Sequence, residues 1–498
     1  MLKAAIDASS VKFYLRSPKT PVMRVCIRWN QRVSFSDNTR ILNDHWERGY
    51  GDLEWRGLVP ERVLPWYFMI SDGKTTHGYG VRTGCNALCF WQADDTGVTL
   101  WLDVRNGGAG VHLSDRELYA AEAAFRLGVE GETPYQAARA FCRMLCTEPV
   151  LPSQPVFGGN NWYYAYGSSS HQEILDDSER IASYAPSGPN RPFMVIDDGW
   201  QLCHSRLCNG GPWSMGNYRF PDMQRLAEEM KETGVRPGIW MRPLMTAEKV
   251  PADWVMTNMH RSESTENQFL DPSHEGVLNK ITVDISRIVS WGYELIKHDF
   301  STYDIFGKWG FEMGSSLTKP GWCFYDRSKT TAEIILNLYR TIREAAGSAL
   351  VLGCNTIGHL AAGLFELQRT GDDTSGREWE RTRKYGINTL AFRMPQHGAF
   401  FAADADCVGL TRNIPWDLNR QWMELLAYSG TPLFISISPD AVGSEQEKAL
   451  KEAFAAAAVE RTPAEPLDWF NNTCPSKWAL NGEIRSFNWY GGKGVCFF

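Results

Sequence analysis

From Val156 onward the chain alternates short apolar runs with amphipathic stretches of helical spacing, and this alternation constrains the fold more than any other feature. The runs are VFGGNNWYYAYG (from Val156), PFMVIDD (Pro192), RPGIWM (Arg236), YELIKHD (Tyr293), ALVLGCN (Ala349), LFELQRTG (Leu364), GAFFAADAD (Gly398) and TPLFISIS (Thr431). Helical spacing marks the segments between them, such as PDMQRLAEEMKETG, GVLNKITVDISRIVSWG, KTTAEIILNLYRTIREAAG and NRQWMELLAYSG. Strands that are apolar on both faces and feed helices form a parallel sheet with its faces covered. Eight such units over roughly 300 residues predict a (β/α)8 TIM barrel, with a doubly wound open sheet as the rival topology.

The flanking segments follow other rhythms. From Ala4 to about Leu127, runs such as RVCIRW, LPWYFMI, THGYGVRT, ALCFWQA and VTLWLDV alternate polar and apolar residues between Asp/Gly punctuation, which predicts an antiparallel β-sandwich. TPYQAARAFCRMLC, Thr133 to Cys146, has helical spacing with Thr133 as N-cap. The expected fold class is therefore α/β. Its parts are a β-sandwich over 1–132, a linker helix region over 133–154, the catalytic barrel over 155–462 and a short C-terminal β region over 463–498, with GGKG (Gly491 to Gly494) as a hairpin turn.

Composition narrows the partners. The chain carries 51 basic and 58 acidic residues for a net charge of -7, without a local Lys/Arg cluster, so no nucleic-acid partner is expected and neutral ligands are favoured. The opening MLKAAIDASS has no apolar signal core, and no run approaches the roughly 20 apolar residues of a membrane span. A cytoplasmic protein with no membrane partner is expected. Among 12 cysteines the pairs Cys85/Cys89, Cys142/Cys146 and Cys203/Cys208 lack CxxC spacing or a nearby His pair, so they read as reduced structural thiols, with no metal and no cofactor. The 20 tryptophans include several beside carboxylates, in DHWERGYGDLEW (Asp44 to Trp55) and DDGW (Asp197 to Trp200). Each alone reads as core packing; together they also suit stacking on sugar rings.

Nearly every candidate strand delivers a polar group at its C-terminal end, where a barrel assembles its site. These are Asn161 and Trp162, Asp197-Asp198, Trp240-Met241-Arg242, Lys297-His298-Asp299, Cys354-Asn355, Arg369 followed by Asp372-Asp373, and Asp404 with Asp406. Helix capping explains one Asp or Asn per strand, but not paired carboxylates at two strand ends. Lys297 and Asp299 are two apart and share a face, which directs both to the central cavity and His298 away from it. An ammonium beside Asp299 is expected to keep it ionised and nucleophilic, and like charges with burial to hold Asp372 partly protonated. Two carboxylates in different electrostatic settings meet the needs of retaining glycoside hydrolysis.

At these residues the sequence resembles the α-galactosidase-type glycoside hydrolases of family 36 and their clan relatives in families 27 and 31. GGNNWYYAYG resembles their first-strand GWNSW segment, VIDDGWQ their DDGW, and PGIWMRPLMTAEKVPADWVM their third-strand stretch. YELIKHDFS is similar to the nucleophile motif YLKWDxN, and RTGDDTSG to the acid/base motif TSDDTD. The resemblance implies Asp299 as nucleophile and Asp372 as general acid/base. It implies Asp197, Asp198 and Lys297 as sugar contacts, with Trp162, Trp200, Trp240, Cys354, Asn355 and Asp373 around the same pocket and Arg369 orienting the acid/base region.

His298, Phe300-Ser301 and Met241-Arg242 depart from the family pattern and bear on which sugar is taken. The implied partner is a small oligosaccharide or glycoside, and oligomeric relatives leave open a homo-oligomer, with Trp46 or Trp55 reaching a site in its own or an adjacent chain. Other readings of the same residues are a raffinose-synthase-like transglycosylase, a glycosidase for glucose or N-acetylgalactosamine, and a non-catalytic sugar binder. A metal-dependent barrel using Asp197, Asp198, His298 and Asp299 is disfavoured by the alternation that turns His298 away.

Overall fold

A computed structural model describes residues 1–31, 36–205, 208–256 and 268–490, so the GGKG segment lies outside the described residues. One nine-stranded, all-parallel sheet dominates it. In chain order its strands are β1 (Phe157–Asn160), β2 (Phe193–Ile196), β3 (Arg236–Met241), β4 (Leu295–His298), β5 (Leu350–Gly353), β6 (Leu367–Arg369), β7 (Ala402–Asp404), β8 (Cys407–Leu410) and β9 (Leu433–Ile437). All eight runs anticipated from the sequence are strands, and the seventh is broken into β7 and β8. β7 pairs with β6, while β8 pairs with β9, which pairs with β1. Only Ala405 and Asp406 separate the two halves, so the sheet returns on itself as a barrel and the open doubly wound alternative does not apply.

The break has a local cause. Asp406 adopts φ 69, a left-handed conformation that Asp tolerates better than most residues. Its carboxylate accepts from Thr374 N (2.8 Å), Thr374 Oγ1 (3.0 Å) and the Tyr163 hydroxyl, and pairs with Arg369 (2.8 Å). These partners hold a backbone shape that a regular strand would relax.

Helices cover the barrel because their first turns are capped and one stripe of each is apolar. Ser170, Asp222 and Thr330 side chains accept from backbone N–H groups at the starts of His171–Tyr184, Met223–Thr233 and Thr331–Ala346. In the last, Glu333 returns the contact to Thr330 N, completing a capping box. Inside the barrel, Phe193, Val195, Leu295, Leu352, Leu367 and Phe434 form a separate apolar cluster beneath the mouth.

Before the barrel lies a sandwich of two antiparallel sheets. The six-stranded one runs Leu2–Ile6, Ser10–Leu15, Leu118–Arg126, Thr76–Val81, Tyr67–Ser71, Arg40–Asn43; the four-stranded one runs Arg24–Asn30, Gly97–Asp103, Leu88–Asp94, Leu64–Pro65. Aromatic rings fill the space between them, with Phe68 stacked on Tyr79 at 5.0 Å and Trp91 edge-on to Phe125 at 6.1 Å. The helix Pro134–Leu145 follows, with Thr133 accepting from Gln136 N as a capping box. After the barrel, Glu465–Pro466, Lys477–Leu480 and Glu483–Ser486 make a three-stranded sheet. Trp469 beside it touches Trp55, Tyr135 and Phe392 at 5.5, 5.9 and 5.6 Å, tying three parts of the chain into one core.

A buried carboxylate anchors the sandwich to the barrel. Asp44 accepts from Trp66 Nε1, Arg393 Nε and Gln396 Nε2, each at 2.9 Å, and both Asp44 and Arg393 are 2% exposed as side chains. Removing one partner of such a pair strands the other charge. Asp44→Ala is expected to lower unfolding stability by about 3–5 kcal/mol in urea denaturation.

Candidate active site

The mouth of the barrel is built from strand ends. β1 hands its last polar groups to a short helix, Trp162–Ala165, with Trp162 N donating to Asn160 Oδ1 at 2.8 Å. Trp162 is half-buried against the barrel-interior cluster. Asn160 Nδ2 also donates to Asp197 Oδ2 (2.7 Å), and Asn161 Oδ1 accepts from Asp197 N (2.8 Å). The tandem carboxylates after β2 take different surroundings. Asp197 Oδ2 meets Lys297 Nζ at 2.6 Å, whereas Asp198 accepts from Gln201 Nε2 (2.7 Å), His204 Nδ1 (3.0 Å) and Asn209 Nδ2 (3.0 Å). The hydrogen bond to Asp198 raises His204 above its ordinary value, against the effect of burial.

This corrects the electrostatic expectation for the strand end after β4. Lys297 pairs with Asp197, not with Asp299. Burial works most strongly against its ammonium, but Asp197, together with Cys354 and Asp406, holds Lys297 well above its ordinary value. Asp299 is gripped by neutral donors instead: Trp240 Nε1 at 3.1 Å on Oδ2 and Phe300 N at 2.7 Å on Oδ1. Phe300 pays in backbone strain for that second contact, with φ 63 in a residue that has a Cβ. Trp200, fully buried, donates from Nε1 to the carbonyl of Trp240 (2.9 Å) and so braces the tryptophan that holds Asp299.

His298 points the other way, as alternation requires. Its ring lies between Tyr339 and Phe365, with centroids 5.9 and 5.7 Å away, and burial lowers it to about 3. Neither ring nitrogen has a hydrogen-bond partner, so this is an enclosed neutral imidazole and not a satisfied one. Among the described residues, no metal-ligand cluster joins His298 to Asp197, Asp198 or Asp299.

The second carboxylate cluster also differs from expectation. Asp372 is paired with guanidinium groups, Arg48 at 2.7 Å on Oδ1 and Arg381 at 3.6 Å on Oδ2, which offset the like charges expected around it. Arg48 comes from the sandwich domain. Its segment docks edge-on to the loop after β6, where Gly49 N donates to Thr370 O (2.8 Å) and Asp372 N donates to Gly49 O (2.9 Å). Asp373 faces Arg369 at 3.3 Å and Arg48 at 3.8 Å; burial would raise it, but these cations hold it below the usual carboxylate range. Arg369 contacts Asp373 and Asp406.

Cys354, at the end of β5, sits between the two carboxylate groups. Its Sγ accepts from Arg369 Nη1 at 3.5 Å and Arg48 Nη1 at 3.8 Å, and burial, reinforced by the charge of Asp299, pushes its thiol well up. β4 and β6 flank β5, so the Asp299 and Asp372 segments leave the barrel two strand spacings apart, about 10 Å at the backbone. Asn355 is enclosed, with Oδ1 accepting from Tyr303 N (3.0 Å) and its amide donating to Glu47; it brackets the loop from the sandwich against the helix Ser301–Phe306.

Arg242, at the end of β3, reaches Asp304 with Nε at 3.0 Å and Nη2 at 2.5 Å, and stacks on Phe300 at 4.2 Å. Residues that local sequence reading passed over stand beside it. Buried Glu47 accepts from Gly310 N at 2.6 Å and from Tyr50. Arg48 stands over Trp309 at 5.2 Å, and Trp309 stacks on Tyr303 at 4.3 Å. The signal for Glu47 and Arg48 was present in DHWERGYGDLEW, but in the charges between the tryptophans. Trp46 and Trp55 themselves are core residues, and the segment serves the barrel of its own chain.

Fold and strand ends together define a TIM barrel that presents several carboxylates at one mouth. No family model matches the chain. The curated α-galactosidase AgaA of Geobacillus stearothermophilus is 28% identical over 198 residues, 37% of this chain and 25% of that protein, so the aligned stretch spans about a quarter of that relative. Among solved structures, the α-galactosidase TtGalA from Thermus thermophilus, in complex with p-nitrophenyl α-D-galactopyranoside, superposes with a TM-score of 0.67 at 18% identity, covering 97% of this chain and 95% of that one. Family 36 AgaA gives a TM-score of 0.61 at 14% identity, with 94% and 67% covered. The chain is thus similar to family 36 α-galactosidases and has their fold. No helix among the described residues is long and apolar enough to cross a membrane.

The depressed histidine makes stability depend on pH. An unfolded chain binds a proton at His298 near 6.5, whereas the folded protein does not until about 3. Its contribution is complete above pH 6.5 and is lost as pH falls toward 3. Between pH 7 and 5, His298→Phe is expected to lose about 2 kcal/mol less than the wild type, read from urea unfolding at the two pH values.

Proposed function

We propose that the protein is a retaining α-glycosidase that removes terminal α-linked galactose, with Asp299 as nucleophile and Asp372 as general acid/base. The observation that carries this reading is the presentation of two carboxylates at the ends of β4 and β6, one held by neutral N–H donors and the other by guanidinium groups. The sequence similarity to AgaA and the fold shared with TtGalA support galactose as the sugar.

In the first step Asp299 attacks the anomeric carbon while Asp372, which has to carry its proton against the pull of Arg48 and Arg381, gives that proton to the departing oxygen, leaving a glycosyl ester on Asp299. Water then enters, Asp372 takes one of its protons, and the oxygen displaces Asp299, so two inversions return the starting configuration. Trp240 aims the attacking oxygen and shares the charge that returns to it. Arg48 and Arg381 fix the rotamer of Asp372, so that its free edge faces the leaving oxygen. The Lys297–Asp197 pair and Asp198 stand at the neighbouring strand ends as hydrogen-bonding groups for sugar hydroxyls.

Asp299→Ala and Asp372→Ala are each expected to lower turnover of raffinose at least about 100-fold with folding retained by circular dichroism. Nitrophenolate leaves with little help from an acid, so Asp372→Ala should be hurt far less on p-nitrophenyl α-galactoside than on raffinose, whereas Asp299→Ala should be hurt on both. Added azide should then give a galactosyl azide of retained configuration from the Asp372 variant and of inverted configuration from the Asp299 variant. Wild-type raffinose hydrolysis by either variant would sink the assignment.

Arg48→Ala is expected to lower kcat/KM on the order of 100-fold, the cost of misplacing a catalytic group, with the melting temperature as the control for folding.

A further inference from the structure

Away from the mouth, the sandwich and the barrel meet at a cluster that neither the fold nor the proposed reaction uses. Cys85 and Cys89 flank the turn that leads into the strand Leu88–Asp94, and His359 lies in the short helix Gly358–Ala361 after β5. All three are buried, at 1%, 0% and 0% exposure. One ligating atom from each lies within 4.8 Å of the other two.

Hydrogen bonding does not account for this arrangement. The Sγ atoms of Cys85 and Cys89 approach the same Ala87 carbonyl at 3.3 and 3.5 Å, and His359 Nε2 reaches that oxygen too, at 3.3 Å. The two thiols also share a contact between their sulfurs, yet all three groups crowd one carbonyl oxygen and His359 Nδ1 has no hydrogen-bond partner. Buried polar groups are rarely left in that condition. The separations fit another role. Around one tetrahedral Zn2+, two sulfurs lie about 3.8 Å apart, a sulfur and an oxygen about 3.5 Å, and a nitrogen and an oxygen about 3.3 Å. The two thiol sulfurs here are 3.8 Å apart, and the contacts to the Ala87 oxygen match the other edges.

We propose that Cys85, Cys89 and His359, with the Ala87 carbonyl as fourth ligand, bind a Zn2+-class cation that clasps the sandwich domain to the barrel. Thiolate and imidazole ligands select a borderline-soft d10 ion over Mg2+ or Ca2+. The clasp lies under the segment that carries Arg48: Gly358 N donates to Trp46 O at 3.0 Å, Gly84 N donates to His359 O at 2.8 Å, and His359 stacks on Trp66 at 5.9 Å. Spacing in the sequence hid the site because its histidine is far along the chain and reaches the cysteines only when the two domains dock.

The buried ligands capture the ion as the domains assemble, so the test uses the full chain expressed in minimal medium supplemented with zinc or cobalt. The wild type is expected to retain about one metal per chain through gel filtration, and the cobalt form to show thiolate charge-transfer absorption with the intense visible bands of tetrahedral Co2+. Cys85→Ser/Cys89→Ser should retain none, and its melting temperature should not respond to zinc supplementation, whereas that of the wild type should rise. A wild-type cobalt protein without thiolate absorption would overturn the proposal without reference to any variant, as would equal metal content in the double variant.

Discussion

The structure depends on one docking event, the entry of the segment around Arg48 into the rim of the barrel. Gly49 hydrogen-bonds on both sides of Gly371, and the two glycines pair as a short parallel bridge. No larger residue fits at Gly371, where a Cβ would come within 2.0 Å of Tyr385 O and 2.6 Å of Thr389 Oγ1. Through this contact the sandwich gives the barrel the guanidinium that holds Asp372, and Glu47 next to it reaches Gly310 and Asn355 beyond β4. A barrel cut free at its first strand would keep both candidate catalytic carboxylates and lose the cation that positions one of them.

Around that contact the charges are arranged in buried pairs: Lys297 with Asp197, Arg369 with Asp406, and Arg242 with Asp304. Each loses hydration on burial, and an apolar replacement of similar shape would often be as stable. Their effect is geometric. Arg242 fixes the helix after Asp299, Arg369 fixes the break between β7 and β8, and Lys297 fixes the first of the tandem carboxylates. The site is therefore held by oppositely charged struts between strands rather than by the ladder alone.

Much of the architecture was legible in the sequence because its signals are local. Apolar runs such as FMVI and LFISI, buried along their whole length, announce parallel strands, and Thr133 and Thr330 announce helix starts. The period of two also placed His298 behind Asp299, since orientation on a strand is a property of neighbours. What escaped was every pairing between distant segments. Lys297 has two acidic neighbours within reach of a strand end, and only the tertiary fold decides for Asp197. The like-charge setting read for Asp372 failed because Arg48 lies more than one domain upstream, and Asn355 read as a pocket residue although its amide is turned to Tyr303 and Glu47. The break in the seventh run also escaped, because Asp406 interrupts the strand with stabilising partners at Tyr163, Arg369 and Thr374 that no local window contains.

That interruption limits how the chain can vary in length. β7 and β8 serve different neighbours, one half completing β6 and the other completing β9, with only Ala405 and Asp406 between them. Adding or deleting one residue at this junction would reverse which side chains of one half face inward, turning Cys407 away from the interior cluster and changing the layer that supports Arg369. The helix-bearing connections elsewhere on the rim can absorb insertions, so this short junction acts as the register pin of the ring.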